Sequence, residues 1–147
     1  MKPKNAVRFD RTLGRAFYRF HRWVYRASGG RVMTRSLEGP MLMLTTTGRR
    51  SGQRRDTTLL YHDDGGRIIV VGSNGGRPSE PAWLLNLRAD PSCSVMVGRR
   101  RFDARARILE GDERAAIWPA LTSFYPGWAH YETLTERTLH PVELVPT

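Results

Sequence analysis

The stretch "TTTGRRSGQRR" (residues 45–55) concentrates positive charge and backbone freedom in a short run that follows a strand-like sequence. Arginine guanidinium groups pair with phosphate or carboxylate through parallel hydrogen bonds. Gly48 and Gly52 allow backbone N–H groups to turn toward an anion, and Ser51 adds a hydroxyl. The Walker pattern G-x-x-x-x-G-K-[ST] is absent. The stretch is therefore a candidate anion-binding loop, with a solvated hairpin loop as the alternative.

Three further stretches combine residue types suited to a planar ligand. "GSNGGRP" (72–78) follows a strand-like run, and its small residues permit close approach of a flat ring, although a plain turn explains it equally. Asn86 lies among aliphatic residues at helical spacing and needs a polar partner in the core or on a ligand. The aromatic residues near Pro126-Gly127 either pack together or close over a pocket; they are Tyr125, Trp128, His130 and Tyr131.

Hydrolytic and metal chemistry have little support in the sequence. There is no G-x-S-x-G motif, and the four histidines lack metal-ligand spacing, so we expect no metal site. Cys93 falls within a predicted strand. An enzyme without its own nucleophile, metal or acid pair takes its chemistry from an organic cofactor.

The elements that must position these residues are mostly strands. Hydrophobic runs, alternation and turn residues predict six strands, at 41–47, 57–62, 67–73, 93–97, 101–109 and 141–145. Helices are predicted from a Ser79 cap to Asp90-Pro91, from an Asp112 cap to Phe124 with a bend or break at Pro119, and over 129–137. A helix between the third and fourth strands argues for an α+β protein, a small antiparallel barrel with peripheral helices.

Charge divides the chain into two parts. Residues 1–36 carry ten lysines and arginines against one acid, Asp10, whereas residues 37–147 are nearly neutral. Residues 8–27 predict an amphipathic helix with an arginine stripe. We therefore expect a basic N-terminal helix and linker (1–36) and a barrel domain (37–147). The helix either covers the barrel with its apolar face or lies on an anionic membrane.

Composition also bears on compartment. No apolar run approaches the roughly 20 residues that span a bilayer, and the single cysteine excludes an internal disulfide. We expect a cytoplasmic protein, with peripheral association at the inner face of the cell membrane as the open alternative. The sheet region lacks an interleaved basic and aromatic surface, so we expect no nucleic-acid partner.

Several dispersed motifs together resemble one family. "LTTTGRRSGQRR", "TTLLYHDDGG", "VVGSNGGRPSEPAWLLNLRADP" and "WPALTSFYPGWAHYETLTERT" are similar to the deazaflavin-dependent nitroreductases of actinobacteria, from about Trp23 to the C-terminus. The resemblance implies a split β-barrel like those of flavin reductases and pyridoxamine oxidases. It also implies coenzyme F420 as cofactor, with quinones, and adventitiously nitroaromatics, as hydride acceptors.

The resemblance assigns roles to matching residues. The arginine loop would hold the phosphate and acidic tail of the cofactor: Arg49, Arg50, Ser51, Gly52, Gln53 and Arg55. The residues expected along the deazaflavin ring and the cofactor wall are Val71, Gly72, Ser73, Asn74, Trp83, Leu84, Leu85 and Asn86. Tyr125, Trp128 and Tyr131 would border the substrate pocket. Ser73 and Tyr131 are the candidate catalytic residues, as stabilisers or proton donors of the reduced acceptor.

Alternatives remain open at this point. The barrel could instead bind flavin mononucleotide, or bind the deazaflavin without turnover. Related split barrels dimerise, so a homodimer is also open. The best-known nitroreductase of the family has tyrosines where this chain has Trp128 and Leu60, so nitroimidazole reduction stays open.

Overall fold

The computed structural model of the protein describes residues 35–36 and 39–147. The predicted helix at 8–27 lies outside the described residues, and the division into parts 1–36 and 37–147 stays a prediction. Eight strands make up the sheet: β1 (Arg35–Ser36), β2 (Gly39–Thr47), β3 (Arg54–Leu60), β4 (His62–Asp64), β5 (Arg67–Val71), β6 (Ser92–Val97), β7 (Arg100–Ile108) and β8 (Pro141–Pro146).

The strands form one curled antiparallel sheet. Its order is β1-β2-β6-β7-β8-β5-β4, and β3 pairs along the other edge of β2. The β2–β3 register runs from Met41 opposite Leu60 to Thr47 opposite Arg54. The sheet bears out the expected antiparallel barrel architecture, although it has two more strands than the six predicted, because β1 and β4 are only two and three residues long.

Strand alternation places one face of the sheet around the main core. Leu42 and Leu44 of β2, Val95 of β6 and Leu144 of β8 are buried together there. The apolar run of β5 is buried on both faces: Val70 belongs to this core, and Ile69 belongs to a second cluster. A continuous run of apolar residues is the expected sequence of a strand covered on both sides.

Three helices cover the ends of the sheet. They are α1 (Ala82–Ala89), α2 (Gly111–Phe124) and α3 (Gly127–Glu132). Leu84 and Leu87 of α1 enter the main core, whereas Leu121 of α2 and Trp128 of α3 enter the second cluster. The helices thus close the two cores, and α1 lies beside the end of β2 from which the arginine loop departs.

Several local predictions were wrong in detail. Neither Ser79 nor Asp112 caps a helix, because Pro81 and Glu110 hold the cap positions without side-chain hydrogen bonds. Pro119 does not divide α2, which runs on to Phe124. The last helix covers 127–132 rather than 129–137. The second strand begins three residues earlier than predicted, since Arg54 to Asp56 pair with the threonines of β2.

None of the described helices is long and apolar enough to cross a membrane.

Candidate functional site

The arginine loop is a tight connection between β2 and β3. The Gly48 N–H donates to Gln53 O at 2.7 Å, and the Gly52 N–H donates to Gly48 O at 2.8 Å. Gly52 has a φ of 71°, the left-handed conformation that glycine adopts without strain. The Gln53 N–H donates to the Ser51 hydroxyl at 3.1 Å. The loop is therefore a defined turn that fixes where its arginines project.

Its arginines lack acidic partners within the described part of the chain. Arg49, Arg50 and Arg55 are exposed, and none lies within 4 Å of a described carboxylate. The Arg55 guanidinium approaches Ser51 Oγ at 3.5 Å. Four other described arginines form ion pairs with glutamates: Arg67, Arg88, Arg107 and Arg114. The loop therefore presents positive charge that an external anion can neutralise.

Asn86 connects this loop to helix α1. Its side-chain carbonyl accepts from the backbone N–H of Arg49 at 3.1 Å and from the Arg49 guanidinium at 3.3 Å. Its amide donates to the Thr46 hydroxyl at 3.1 Å, and both residues are buried. The polar partner expected for Asn86 is thus Arg49, which lies in the arginine loop. Thr46 is a supporting residue that sequence reasoning missed.

A cavity of about 430 Å³ opens between the loop and α1. Trp83 and Ala82 form its apolar side, and its charged side consists of Arg49, Arg50 and Arg55 with one carboxylate, Asp56. Trp83 is 8% exposed, so its ring is a fixed wall. This combination suits a ligand with a flat apolar part and an anionic part.

A larger cavity of about 620 Å³ lies on the opposite face of the sheet. Its polar side chains are bonded to one another: Thr45 donates to Asp56 at 2.7 Å, and Ser94 donates to Asp103 at 3.0 Å. Its two carboxylates, Asp56 and Asp103, balance the charges of Arg54 and Arg101, so it offers no net positive charge to an anion. Of the predicted site residues, six line the smaller cavity: Arg49, Arg50, Ser51, Arg55, Trp83 and Asn86.

The second predicted stretch forms a loop around a 3-10 turn at Asn74–Gly76. Val71 and Gly72 are buried, whereas Ser73 and Asn74 are half-exposed. A Cβ on Gly72 would lie 2.5 Å from a methyl group of Leu84, so this loop packs directly on α1. Leu84 is fully buried and Leu85 is half-buried. Helix α1 therefore contacts both predicted cofactor segments, the arginine loop through Asn86 and the 72–77 loop through Leu84.

The aromatic segment lies beside the 72–77 loop. Tyr125 packs edge-on against Trp128 with ring centroids 5.3 Å apart, and Tyr125 and Tyr131 are 6.5 Å apart. Trp128 is 3% exposed, whereas Tyr125 and Tyr131 are half-exposed. A Cβ on Gly76 would lie 2.8 Å from the Tyr131 carbonyl oxygen. The structure thus brings the predicted substrate residues against the predicted ring loop.

Arg137 is a further residue at this junction that the sequence did not reveal. Its guanidinium donates to three backbone carbonyl oxygens of the 72–77 loop: Gly72 at 3.1 Å, Ser73 at 2.9 Å and Arg77 at 2.9 Å. A single arginine between Glu136 and Thr138 carries no pattern that marks such a role.

Cys93 is a buried thiol within β6. Burial, followed by the nearby Asp103 and Asp90 carboxylates, raises the pKa of the Cys93 thiol to about 11. Its Sγ lies 3.5 Å from the Ala104 carbonyl oxygen. A protonated thiol is a poor nucleophile at neutral pH. The Cys93 thiol is therefore not expected to act as a nucleophile.

The antiparallel barrel and its arginine-lined, tryptophan-walled cavity are suited to an anionic, ring-containing ligand. Residues 17–145 match the model of the F420H(2)-dependent quinone reductase family. The chain belongs to this family.

Individual proteins agree with this assignment. An F420H(2)-dependent quinone reductase of Mycobacterium tuberculosis is 33% identical over 140 residues, covering 92% of each chain. A shorter match, 34% identical over 71 residues, covers 48% of this chain and 60% of a second protein from that species.

Two solved structures are similar in sequence as well as in fold. The F420-H2 dependent reductase FDR-A has a TM-score of 0.65 and 37% identity, covering 71% of this chain and 93% of that chain. A protein described as a domain-swapped dimer has a TM-score of 0.67 and 31% identity, covering 97% and 99%. The predicted family, split-barrel fold, oxidoreductase class and F420 cofactor are confirmed.

Proposed function

We propose that the protein binds reduced coenzyme F420 in the arginine cavity and catalyses hydride transfer to a quinone. The observation that carries this proposal is the group of three exposed arginines around a cavity with a tryptophan wall. Family membership supports the reaction type. Nitroaromatic compounds are secondary acceptors in this proposal.

The residues present fit the chemistry of the cofactor. Its phosphodiester and glutamate tail form a polyanion, and Arg49, Arg50 and Arg55 supply positive charge without a described carboxylate within 4 Å. Guanidinium groups bind such oxygens through paired, charge-assisted hydrogen bonds. Ser51, Gly52 and Gln53 supply the turn and polar groups between the arginines.

The deazaflavin ring would lie between the arginine loop and the 72–77 loop, both of which contact helix α1. Trp83 offers a flat apolar wall, while Leu84 and Asn86 hold the adjoining loops in place. On the other side the proposal assigns the ring a border of Val71, Gly72, Ser73 and Asn74, with Leu85 at the helix. Gly72 suits this position because its missing side chain permits close packing.

Tyr125 and Tyr131 border the proposed acceptor site, supported by the buried Trp128 ring. The bound cofactor supplies a hydride equivalent from C5 of the reduced deazaflavin. The protein holds the two planar molecules together and excludes water. The hydroxyl of Ser73 or Tyr131 donates a proton to, or stabilises, the reduced acceptor.

A fluorescence titration with coenzyme F420 tests this proposal. We expect saturable binding by the wild type and a loss of roughly tenfold or more in the Arg49→Ala, Arg55→Ala double variant. The tail-less deazaflavin fragment is the matched ligand, because it keeps the ring and lacks the polyanion. The double variant should bind this fragment as the wild type does. Arg99→Ala, in the exposed turn between β6 and β7, is the control, because it removes a positive charge away from the arginine cavity.

Other outcomes separate the alternatives. No binding of F420 by the wild type at tens of micromolar, with binding of flavin mononucleotide, would favour the flavin alternative. Binding of F420 without oxidation of the reduced cofactor by a panel of quinones would favour a carrier without turnover. Equal F420 binding by wild type and double variant would move the polyanion site elsewhere.

Two partner proposals need their own tests. The predicted N-terminal helix would bring the enzyme to an anionic membrane, where lipophilic quinones are found. Salt-sensitive sedimentation with phosphatidylglycerol vesicles, lost in a variant lacking residues 1–27, would support this association. A homodimer is the second proposal, and light scattering of the purified chain tests it.

A further inference from the structure

The guanidinium of Arg137 is bonded almost entirely to the backbone of one loop. Nε donates to Arg77 O, and the two terminal nitrogens donate to Gly72 O and Ser73 O, all within 2.9 to 3.1 Å. These carbonyls lie 60 to 65 residues earlier in the chain. One side chain therefore fixes both ends of the 72–77 loop to the segment after α3.

The conformation of this loop needs such support. Ser73 is right-handed, with φ −76° and ψ −35°, whereas Asn74 and Gly75 have φ values of 47° and 64°. A left-handed asparagine is an uncommon and mildly strained conformation. Successive right- and left-handed residues turn consecutive backbone N–H groups into one concave surface that attracts negative charge.

Arg137 also determines which way the peptide groups face. In a planar trans peptide the C=O and the following N–H point in opposite directions. The Gly72 and Ser73 carbonyls point at Arg137, so the N–H groups of Ser73 and Asn74 point away from it. Breaking these hydrogen bonds would free the Gly72 carbonyl and leave the Ser73 carbonyl with the Gly76 N–H at 2.9 Å as its remaining donor.

The charges around Arg137 also favour its contact with the loop carbonyls. Burial lowers the pKa of the Arg137 guanidinium, an effect that the Glu80 charge opposes. Glu80 is itself bonded to Arg88 at 2.7 and 2.8 Å. No described carboxylate lies within 4 Å of Arg137. The three carbonyl dipoles and the more distant Glu80 charge therefore compensate its partly buried charge.

We propose that Arg137 is a positioning residue for the cofactor: its guanidinium holds the 72–77 loop in the one conformation that receives the deazaflavin ring. This inference rests on the proposed function. Arg137 acts through the backbone of the loop, and the loop in turn contacts α1 at Leu84 and the aromatic segment at Tyr131. Loss of Arg137 would leave only part of the population competent to bind, and the apparent affinity would fall by that fraction.

The test compares Arg137→Gln and Arg137→Lys with wild type and with the Arg99→Gln control. Hydrogen–deuterium exchange of the cofactor-free protein reports on the loop, and fluorescence titration gives the F420 dissociation constant. We expect exchange of the 72–77 amides to accelerate about tenfold or more in Arg137→Gln, with F420 affinity about tenfold or more weaker. Arg99→Gln should match the wild type in both measurements.

Arg137→Lys distinguishes position from charge. Lysine keeps the positive charge but lacks the planar fork that reaches three carbonyls. We expect this variant to resemble Arg137→Gln more than the wild type, with a melting temperature close to that of the wild type. If Arg137→Lys matches the wild type in exchange and affinity, charge alone suffices and the inference is overturned.

The remaining outcomes are separable from the proposed function. Binding of F420 by wild type and Arg137→Gln with equal affinity overturns this inference and leaves the proposed function standing. Failure of the wild type to bind F420 overturns the proposed function, and this inference with it. If Arg137→Gln does not fold, the Arg137→Lys comparison decides.

Discussion

The side-chain carbonyl of Asn86 accepts two hydrogen bonds from Arg49, one from its backbone N–H at 3.1 Å and one from its guanidinium at 3.3 Å. This relationship ties the cavity wall of α1 to the loop that carries the positive charge. The amide of Asn86 is therefore used within the protein. Its contribution to a cofactor site is to hold Arg49 in place.

Asn86→Leu should weaken both the fold and F420 binding. Leucine of similar size leaves the buried Thr46 hydroxyl and the Arg49 N–H without their partner, which costs about 1–3 kcal/mol. We expect the unfolding free energy in urea to fall by that amount and F420 affinity to fall roughly tenfold.

Asn86→Asp is the informative companion to this variant. Aspartate keeps the acceptor for Arg49, and the Thr46 hydroxyl can donate to it. Its stability should exceed that of Asn86→Leu, while the added negative charge weakens binding of the polyanion. If both variants bind F420 as the wild type does, Asn86 does not position the loop for the cofactor.

Gly72→Ala should destabilise the contact between the ring loop and α1. The new Cβ would lie 2.5 Å from a Leu84 methyl group, and overpacking of this kind costs about 1–3 kcal/mol. The cost should shrink in a Leu84→Ala background, where the methyl group is absent. A double-mutant cycle by urea unfolding measures this coupling. Additive effects of the two changes would show that the clash is relieved elsewhere.

Because its thiol is buried, Cys93 should make the free energy of unfolding fall at alkaline pH. The pKa of Cys93 is raised to about 11 from an ordinary value of 9.0, mainly by burial. The unfolded thiol therefore ionises first, and stability is lost as pH rises from 9.0 toward 11. Cys93→Ala should show a smaller loss over this range in urea unfolding. The native thiol should also react slowly with a disulfide reagent at pH 8 and rapidly in denaturant.

Glu143 should make the free energy of unfolding fall at acidic pH. It accepts from Arg67 at 3.2 and 3.3 Å and from Arg107 at 2.9 Å, and these contacts lower the pKa of the Glu143 carboxyl. Its contribution is present above the ordinary pKa of 4.5 and is lost as pH falls below it. Glu143→Gln should be less stable at pH 7, and the difference from wild type should shrink at lower pH.

The matched control for this prediction is Glu136→Gln, which changes an exposed carboxylate without a described contact. Urea unfolding at several pH values measures both variants. A pH-independent difference between wild type and Glu143→Gln would show that packing, rather than the two ion pairs, carries the contribution of Glu143.

Much of the barrel was predictable from local sequence. The apolar run at 67–73 identified β5, which ends two residues earlier, and the alternation over 101–109 identified β7 within one residue. The helix caps were less predictable. Ser79 has the right chemistry for a cap, but Pro81 holds that position, and the Ser79 carbonyl accepts from the Asn74 side chain at 2.9 Å. Ser79 therefore lies before the helix, in contact with Asn74 five residues earlier.

The sequence by itself determined the family, the strand pattern and the arginine loop, because turns and alternation follow from preferences of neighbouring residues. Only the tertiary structure decided that Asn86 reaches back 37 residues to Arg49, that Leu84 fills the space left by Gly72, and that Arg137 holds a loop 65 residues away. These contacts form only when the sheet curls and its helices pack, so their partners leave no local pattern in the chain.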